Sequence, residues 1–181
     1  MNILGINGSL RRQSLNLSLL KAAGDHLDQD TVFDIVSLAD LPFYNEDLDG
    51  DNKPQPVVTF KQRIEDADAL LFATPEFNHS VPGVLQNAID WASRPAFNSP
   101  LTHKPTAILS ASMSPIGGAR AQAQLRTVLH GTLSPVYPSI EFLLGSAHQA
   151  FDDSGQLIDE TAQARLQRYI TGFQEWLARQ A

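Results

Sequence analysis

At 181 residues, 43% of them apolar and 18% charged, the chain suits one globular domain with a single substantial core and does not suit disorder. Its 20 acidic and 13 basic residues give a formal charge of −7, which argues against a general binder of nucleic acid or anionic membranes; an anionic ligand needs a local electropositive pocket, most visibly at Arg11-Arg12. Cysteine is absent, so disulfides, thiolate catalysis and cysteine metal sites are excluded and redox work must run through a bound cofactor.

The chain opens on Ile3 to Ile6, a short uncharged apolar run of the kind buried on both faces of a parallel sheet. This run is too short for a secretory leader and lacks a basic lead-in, and no stretch approaches the ~20 apolar residues that span a bilayer. The expectation is a cytoplasmic protein with no membrane partner. Leu15, Leu19, Ala23 and Leu27 then fall on one i, i+4 helical ridge. Thr31 to Val36 reads as a second strand, carrying Asp34. Leu38 to Gln55 is long, acidic and rich in turn formers, an ordered surface excursion. Val57 to Ala67 supplies a second helix, Ala69 to Ala73 an uncharged third strand, and a third helix follows Pro82. Thr106 to Ala111 is the fourth strand, and Ala121, Leu125, Val128 and Leu129 form the apolar face of the fourth helix. Ser139 to Leu143, with Glu141 inside it and Pro138 before it, reads as a fifth strand. Leu166, Tyr169, Ile170, Phe173 and Leu177 mark the last helix, led in by Asp159-Glu160. Charge and proline belong on edge strands. The pattern is a doubly wound α/β sheet of order 2-1-3-4-5, flavodoxin-like, in one domain over residues 1–181. Its ligand crevice lies beyond the carboxyl ends of the central strands.

Three segments follow those central strands. The first, Asn7 to Asn16, offers donors from Ser9, Ser14 and Asn16, charge from Arg11, and the start of the first helix, whose free N–H groups suit a phosphate. It contains neither a G-x-G-x-x-G dinucleotide fingerprint nor a G-K-[ST] phosphate loop. Helix capping with solvated arginines is the plainer alternative. The second, Thr74 to Gly83, is stiffened by Pro75 and Pro82 and carries Phe77, which suits a wall for a flat heterocycle. An ordinary strand-to-helix loop is its alternative. The third, Ser110 to Gly118, ends in paired glycines that let backbone amides approach a ligand, or simply form a flexible turn. The strand order places all three side by side, so one crevice accounts for them together.

The residues also resemble a known family. Gly8-Ser9-Leu10-Arg11-Arg12-Gln13-Ser14-Leu15-Asn16 is similar to the G-S-x-R-x-x-S-x-N loop of the NADPH-dependent FMN reductases, which include small quinone, chromate and azo-dye reductases. Pro75 to Pro95 resembles their P-E-Y-N-x-S-x-P-G-x-L-K-N-A-I-D-W-x-S-R signature, and Gly117-Gly118-Ala119-Arg120 resembles the G-G-x-R that opens their fourth helix. The resemblance implies that Ser9, Arg11, Ser14, Leu15 and Asn16 hold the FMN phosphate. It runs Pro75, Glu76, Phe77 and Asn78 along the isoalloxazine ring, with Ser110 and Gly117 on the opposite rim. Phe77 stands where the family usually has tyrosine, which keeps stacking and loses a hydroxyl. Gln86 replaces the usual lysine.

With a flavin to carry the chemistry, no side chain need act as acid or nucleophile. Hydride from NADPH or NADH would reach FMN and leave for a flavin, quinone, chromate or azo acceptor in ping-pong turnover. The backbone of Gly117 and Gly118 would stabilise the anion that forms. A flavodoxin-type electron carrier and a non-catalytic flavodoxin-like binding module are the alternatives. The five histidines show no metal-ligand spacing, so no metal site is expected; His79, in the second loop, suits a rim contact. Val81, Val84, Leu85, Ala88, Ile89, Trp91 and Ala92 cover too wide an arc to face only the sheet. Either a second subunit covers the surplus, as a homodimer or homotetramer, or the chain's own Pro95 to Leu101 does.

Overall fold

The computed structural model describes residues 1–180. Five parallel strands, β1 (Asn2–Asn7), β2 (Val32–Val36), β3 (Ala69–Ala73), β4 (Thr106–Ala111) and β5 (Phe142–Leu144), form one sheet of order β2-β1-β3-β4-β5. Five helices connect and follow them: α1 (Leu15–Gly24), α2 (Gln55–Asp66), α3 (Gly83–Ala92), α4 (Ala119–Gly131) and α5 (Glu160–Ala178). This is the expected flavodoxin-like α/β fold.

Strand alternation divides the core in two. Ile3, Ala69, Leu71, Ala107 and Leu109 face α1 and α5, meeting Leu19, Leu20, Leu166, Ile170 and Phe173. Leu4, Ile6, Leu70, Phe72 and Ile108 face the other way and pack on Phe60, Ile64, Leu85, Ile89, Leu125 and Leu129. β3 and β4 are buried along their whole length, which is why their sequences show no polar alternation. Helix starts follow the capping rules: the Ser14 side chain accepts from Leu17 N–H, and the Asp159 side chain accepts from Ala162 N–H at 2.8 Å.

Two boundaries differ from expectation. α1 ends at Gly24, and Leu27, expected on its ridge, packs against the same core from beyond the helix. β5 is shorter and later than Ser139 to Leu143, beginning only at Phe142. Pro138 cannot donate to a ladder, and the chain instead touches β4 at a single Val136–Thr106 bridge before bulging outward at Ile140, which is 89% exposed. In the gap, the Tyr169 hydroxyl of α5 donates to Ile108 O at 2.9 Å and accepts from Ile108 N–H at 3.2 Å, replacing the missing strand.

The apolar arc of α3 is covered in part by Leu101, at the end of the expected segment, which joins Leu85, Ala88, Ile89 and Ala92 in one core, and in part by a segment not expected there. Trp91 is fully buried under the excursion between β2 and α2: its Nε1 donates to Pro42 O at 2.8 Å and Tyr44 packs edge-on, ring centroids 4.9 Å apart. Asn87 fixes the same loop, accepting from Tyr44 N–H and donating to Pro42 O. The excursion is therefore an ordered cover for the helix. Among the described residues, no helix is long and apolar enough to cross a membrane.

Candidate active site

The three loops meet where the fold requires, at the carboxyl ends of β1, β3 and β4. A cavity of about 220 Å³ opens there, lined by Ser9, Arg11, Ser14, Leu15 and Asn16 from the first loop and α1, and by Pro75, Glu76 and Phe77 from the second. Ala111, Ser112 and Met113 close the third side. A larger cavity, about 450 Å³ between β2 and α2, draws on none of these loops, so size does not mark the site here.

The first loop is built from its own polar groups. Asn7 Oδ1 accepts from Ser9 N–H, Ser9 Oγ accepts from Arg11 N–H, and Ser14 Oγ accepts from Leu17 N–H. Each serine oxygen is thus engaged as an acceptor, which leaves its hydroxyl proton to donate. Leu15 and Asn16, the first residues of α1, have N–H groups with no partner inside the helix. Arg11 enters no ion pair among the described residues. Hydroxyl protons, helix-start amides and a free guanidinium are all donors, and a phosphate is all acceptor; the residues fit the group. Asn16 has another duty. Its buried side chain donates to Ala111 O at 3.0 Å and accepts from Ala111 N–H at 2.9 Å, tying α1 to β4. What it offers a ligand is therefore chiefly backbone.

The second loop is a wall shaped by a tight turn. Asn78 and His79 sit at φ of 50° and 62°, and Phe77 and Ser80 exchange backbone hydrogen bonds across them. Two consecutive left-handed residues are the signature of a hairpin turn that asparagine tolerates well. Phe77 is left 56% exposed at the mouth of the cavity, while Asn78 lies on the turn and does not line it. Glu76 joins this wall to the next. Its carboxylate accepts from Arg120 Nη1 at 3.0 Å, from Arg120 N–H at 3.0 Å and from Ala121 N–H, capping α4 across 44 residues of chain. Burial alone would raise its pKa, but the Arg120 hydrogen bond and the two amides outweigh it and hold the carboxyl below its ordinary range.

The third segment differs from expectation at Ser110. It is fully buried beneath the turn and does not form the rim. Ser112 and Met113, two and three residues further on, reach the cavity instead, because β4 ends at Ala111 and only residues past the strand clear the sheet. Gly117 and Gly118 are buried behind them at φ of 68° and 88°. A Cβ on Gly118 would stand 2.9 Å from Ser110 Cβ, so backbone conformation and space both demand glycine. What sequence reading missed is this layering: the residues lining the crevice and the residues supporting it alternate along one short segment.

A doubly wound sheet with an anion-receptive loop at its switch point and aromatic and backbone walls defines a flavodoxin-like nucleotide-binding protein. Comparison with known proteins narrows the class. A sequence profile of the NADPH-dependent FMN reductase family matches residues 1–149. A Pseudomonas aeruginosa protein named NAD(P)H-dependent FMN reductase is 42% identical over 181 residues, covering 99% of this chain and 96% of that one. A quinone reductase of Pseudomonas putida is 40% identical over 170 residues, covering 94% and 91%. The structure of the flavoenzyme NAD(P)H:(acceptor) oxidoreductase FerB from Paracoccus denitrificans superposes with a TM-score of 0.90 at 35% identity, covering 98% of this chain and 97% of that one. The chain belongs to the NADPH-dependent FMN reductase family, and it is an oxidoreductase that works with FMN and NAD(P)H.

Proposed function

We propose that this protein passes electrons from NADH or NADPH, by way of FMN, to a small oxidised acceptor such as a quinone, free flavin, chromate or azo compound, in ping-pong turnover. The observation that carries the reading is the convergence of unpartnered donors at the start of α1 on the cavity walled by Phe77 and Met113. Bound FMN supplies the two-electron chemistry. The chain's own residues bind and orient. Ser9, Arg11, Ser14 and the amides of Leu15 and Asn16 hold the phosphate, and Pro75, Glu76 and Phe77 form one wall. Ser112 and Met113 form the other, and Phe77 gives an aromatic acceptor a face to stack on. The names of the Pseudomonas relatives support quinones and flavins as acceptors.

Assembly as a homodimer or homotetramer belongs to the same proposal. Phe43 and Phe97 support it, each more than three-quarters exposed beside the Tyr44–Arg94 contact.

The test is a visible-absorbance titration with FMN followed by anaerobic addition of NADPH or NADH. Stoichiometric binding and rapid bleaching by pyridine nucleotide are expected, and initial rates with both substrates varied should give parallel lines. Bleaching by dithionite alone would indicate an electron carrier, and intersecting lines would exclude ping-pong turnover.

A further inference from the structure

Beside the crevice lies a second cavity that the residues proposed to hold FMN do not account for. It measures about 380 Å³, a size suited to a small ligand, and it shares Arg11 and Met113 with the crevice, so the two adjoin across one wall. Its other walls are Arg12, Ser18 and Lys21 along the start of α1, and Phe151 with the turn Asp152 to Gly155 from the segment between β5 and α5. That turn is firmly built. Asp152 Oδ1 accepts from Ser154 N–H at 2.9 Å, from the Ser154 hydroxyl at 2.7 Å and from Gln156 N–H at 2.9 Å. Gly155, at φ of 83°, comes so close to α1 that a Cβ there would stand 2.9 Å from Ser18 Oγ.

The charge around this cavity runs against that of the molecule. The chain carries −7 overall, yet Arg11, Arg12 and Lys21 line the cavity against two carboxylates, Asp152 and Asp153, of which Asp152 is already engaged by the donors of its own turn. Arg12 and Lys21 are exposed and enter no ion pair among the described residues, whereas Lys53, Arg63, Arg120 and Arg126 each stand against a carboxylate. Unpaired cations around a concave surface concentrate an anion there. We propose that this cavity takes the phosphorylated adenosine end of NADPH, with Arg12 and Lys21 on its 2′-phosphate, and so sets a preference for NADPH over NADH. A dinucleotide that lies along FMN, nicotinamide against the flavin ring, carries its adenosine past the FMN phosphate, and the loop proposed to hold that phosphate is the wall the two cavities share. An arginine fork and a lysine ammonium both suit a phosphate, whereas the neutral 2′-hydroxyl of NADH gains little from them. Phe151 and Met113 give the adenine an apolar contact.

This assignment rests on the proposed use of FMN and pyridine nucleotide. The test titrates the FMN-loaded protein by calorimetry with adenosine 2′,5′-bisphosphate and with 5′-AMP, two probes that differ in the 2′-phosphate alone. The wild type should bind the bisphosphate roughly tenfold more tightly, and Arg12→Ser combined with Lys21→Ser should erase that difference. Higher ionic strength should shrink it in the wild type. In steady-state assays the ratio of kcat/KM for NADPH to that for NADH should fall in the double variant by roughly the same factor. Equal affinity of the wild type for the two probes would overturn the assignment, as would a double variant that loses NADPH and NADH in equal measure. Tighter binding of FAD than of FMN by the flavin-free protein, lost in the double variant, would give the cavity to the adenylate half of a flavin dinucleotide and overturn the assignment as well. A wild type that takes up no FMN would overturn the proposed function itself, a failure read in the flavin absorbance before either probe is added.

Discussion

At the scale of single residues, the loop from Asn7 to Asn16, proposed to hold the phosphate, divides labour between side chains that make the loop and one that is free to leave it. Asn7, Ser9, Ser14 and Asn16 are all hydrogen-bonded to backbone, whereas Arg11 is exposed and has no carboxylate partner among the described residues. Its removal should therefore cost binding without costing the fold. Arg11→Ala is expected to weaken FMN roughly tenfold to a hundredfold, the worth of a charge-assisted hydrogen bond, with the melting temperature of the flavin-free protein unchanged. Fluorescence titration measures it, and raising ionic strength should weaken the wild type toward the variant. Glu76 is the opposite case, a crevice residue whose work is structural. Its pKa is held below the ordinary carboxylate range, so the stability it contributes is fully present above the unfolded value near ~4.3 and is lost as pH falls through the lower folded value. Glu76→Gln should cost about 1 kcal/mol at pH 7, as a lost helix cap does. The difference from wild type should shrink as urea midpoints are taken down to about pH 3.

At the scale of elements, β5 shows why part of the fold was legible and part was not. The uncharged runs at Ile3, Ala69 and Thr106 gave β1, β3 and β4, because strands buried on both faces tolerate no other composition. β5 pairs over only three residues, Leu109 to Ala111 against Phe142 to Leu144, and its missing upstream half is supplied by a side chain from α5. No local pattern around Ser139 encodes a hydroxyl that arrives from residue 169. The crevice was legible to the same degree: the loop segments were visible, but not which of their residues face inward, since Ser110 and Ser112 differ only in whether the strand has ended. Tyr169 makes this substitution testable. Tyr169→Phe keeps the packing against Phe142 and Tyr137 while stranding both backbone groups of Ile108, and should cost about 2–3 kcal/mol in a denaturant titration. Burial, offset in part by the Ile108 amide, pushes the Tyr169 hydroxyl up to about 12. The unfolded chain ionises near ~10, so the wild type should lose stability as pH rises through that window, and the variant should lack this component.

At the scale of the whole molecule, the question is what the surplus apolar surface does. The arc of α3 does not answer it, because Pro42 and Tyr44 cover Trp91 from within the chain. That cover carries its own exposed group: Phe43, between the two residues that seat on α3, points outward at 86% exposure. Phe97 stands at 76% exposure three residues beyond Arg94, whose guanidinium lies over the Tyr44 ring at 5.4 Å. Two phenylalanines thus flank one rigid cluster, held by hydrogen bonds from Asn87 and Trp91, and neither contributes to the core of its own chain. A rigid apolar pair loses little entropy on association, and burying it in a second copy is worth about 1.5–3 kcal/mol per ring. Sedimentation velocity at micromolar concentrations should show an oligomer for the wild type. Phe43→Ser combined with Phe97→Ser should weaken association roughly a hundredfold or more and leave the melting temperature of the isolated chain unchanged. A wild type that sediments as a monomer would remove the oligomer and leave these rings to be explained by the acceptor. A variant that stays oligomeric would move the interface elsewhere, with Ile140 on the bulge before β5 the next apolar group to substitute.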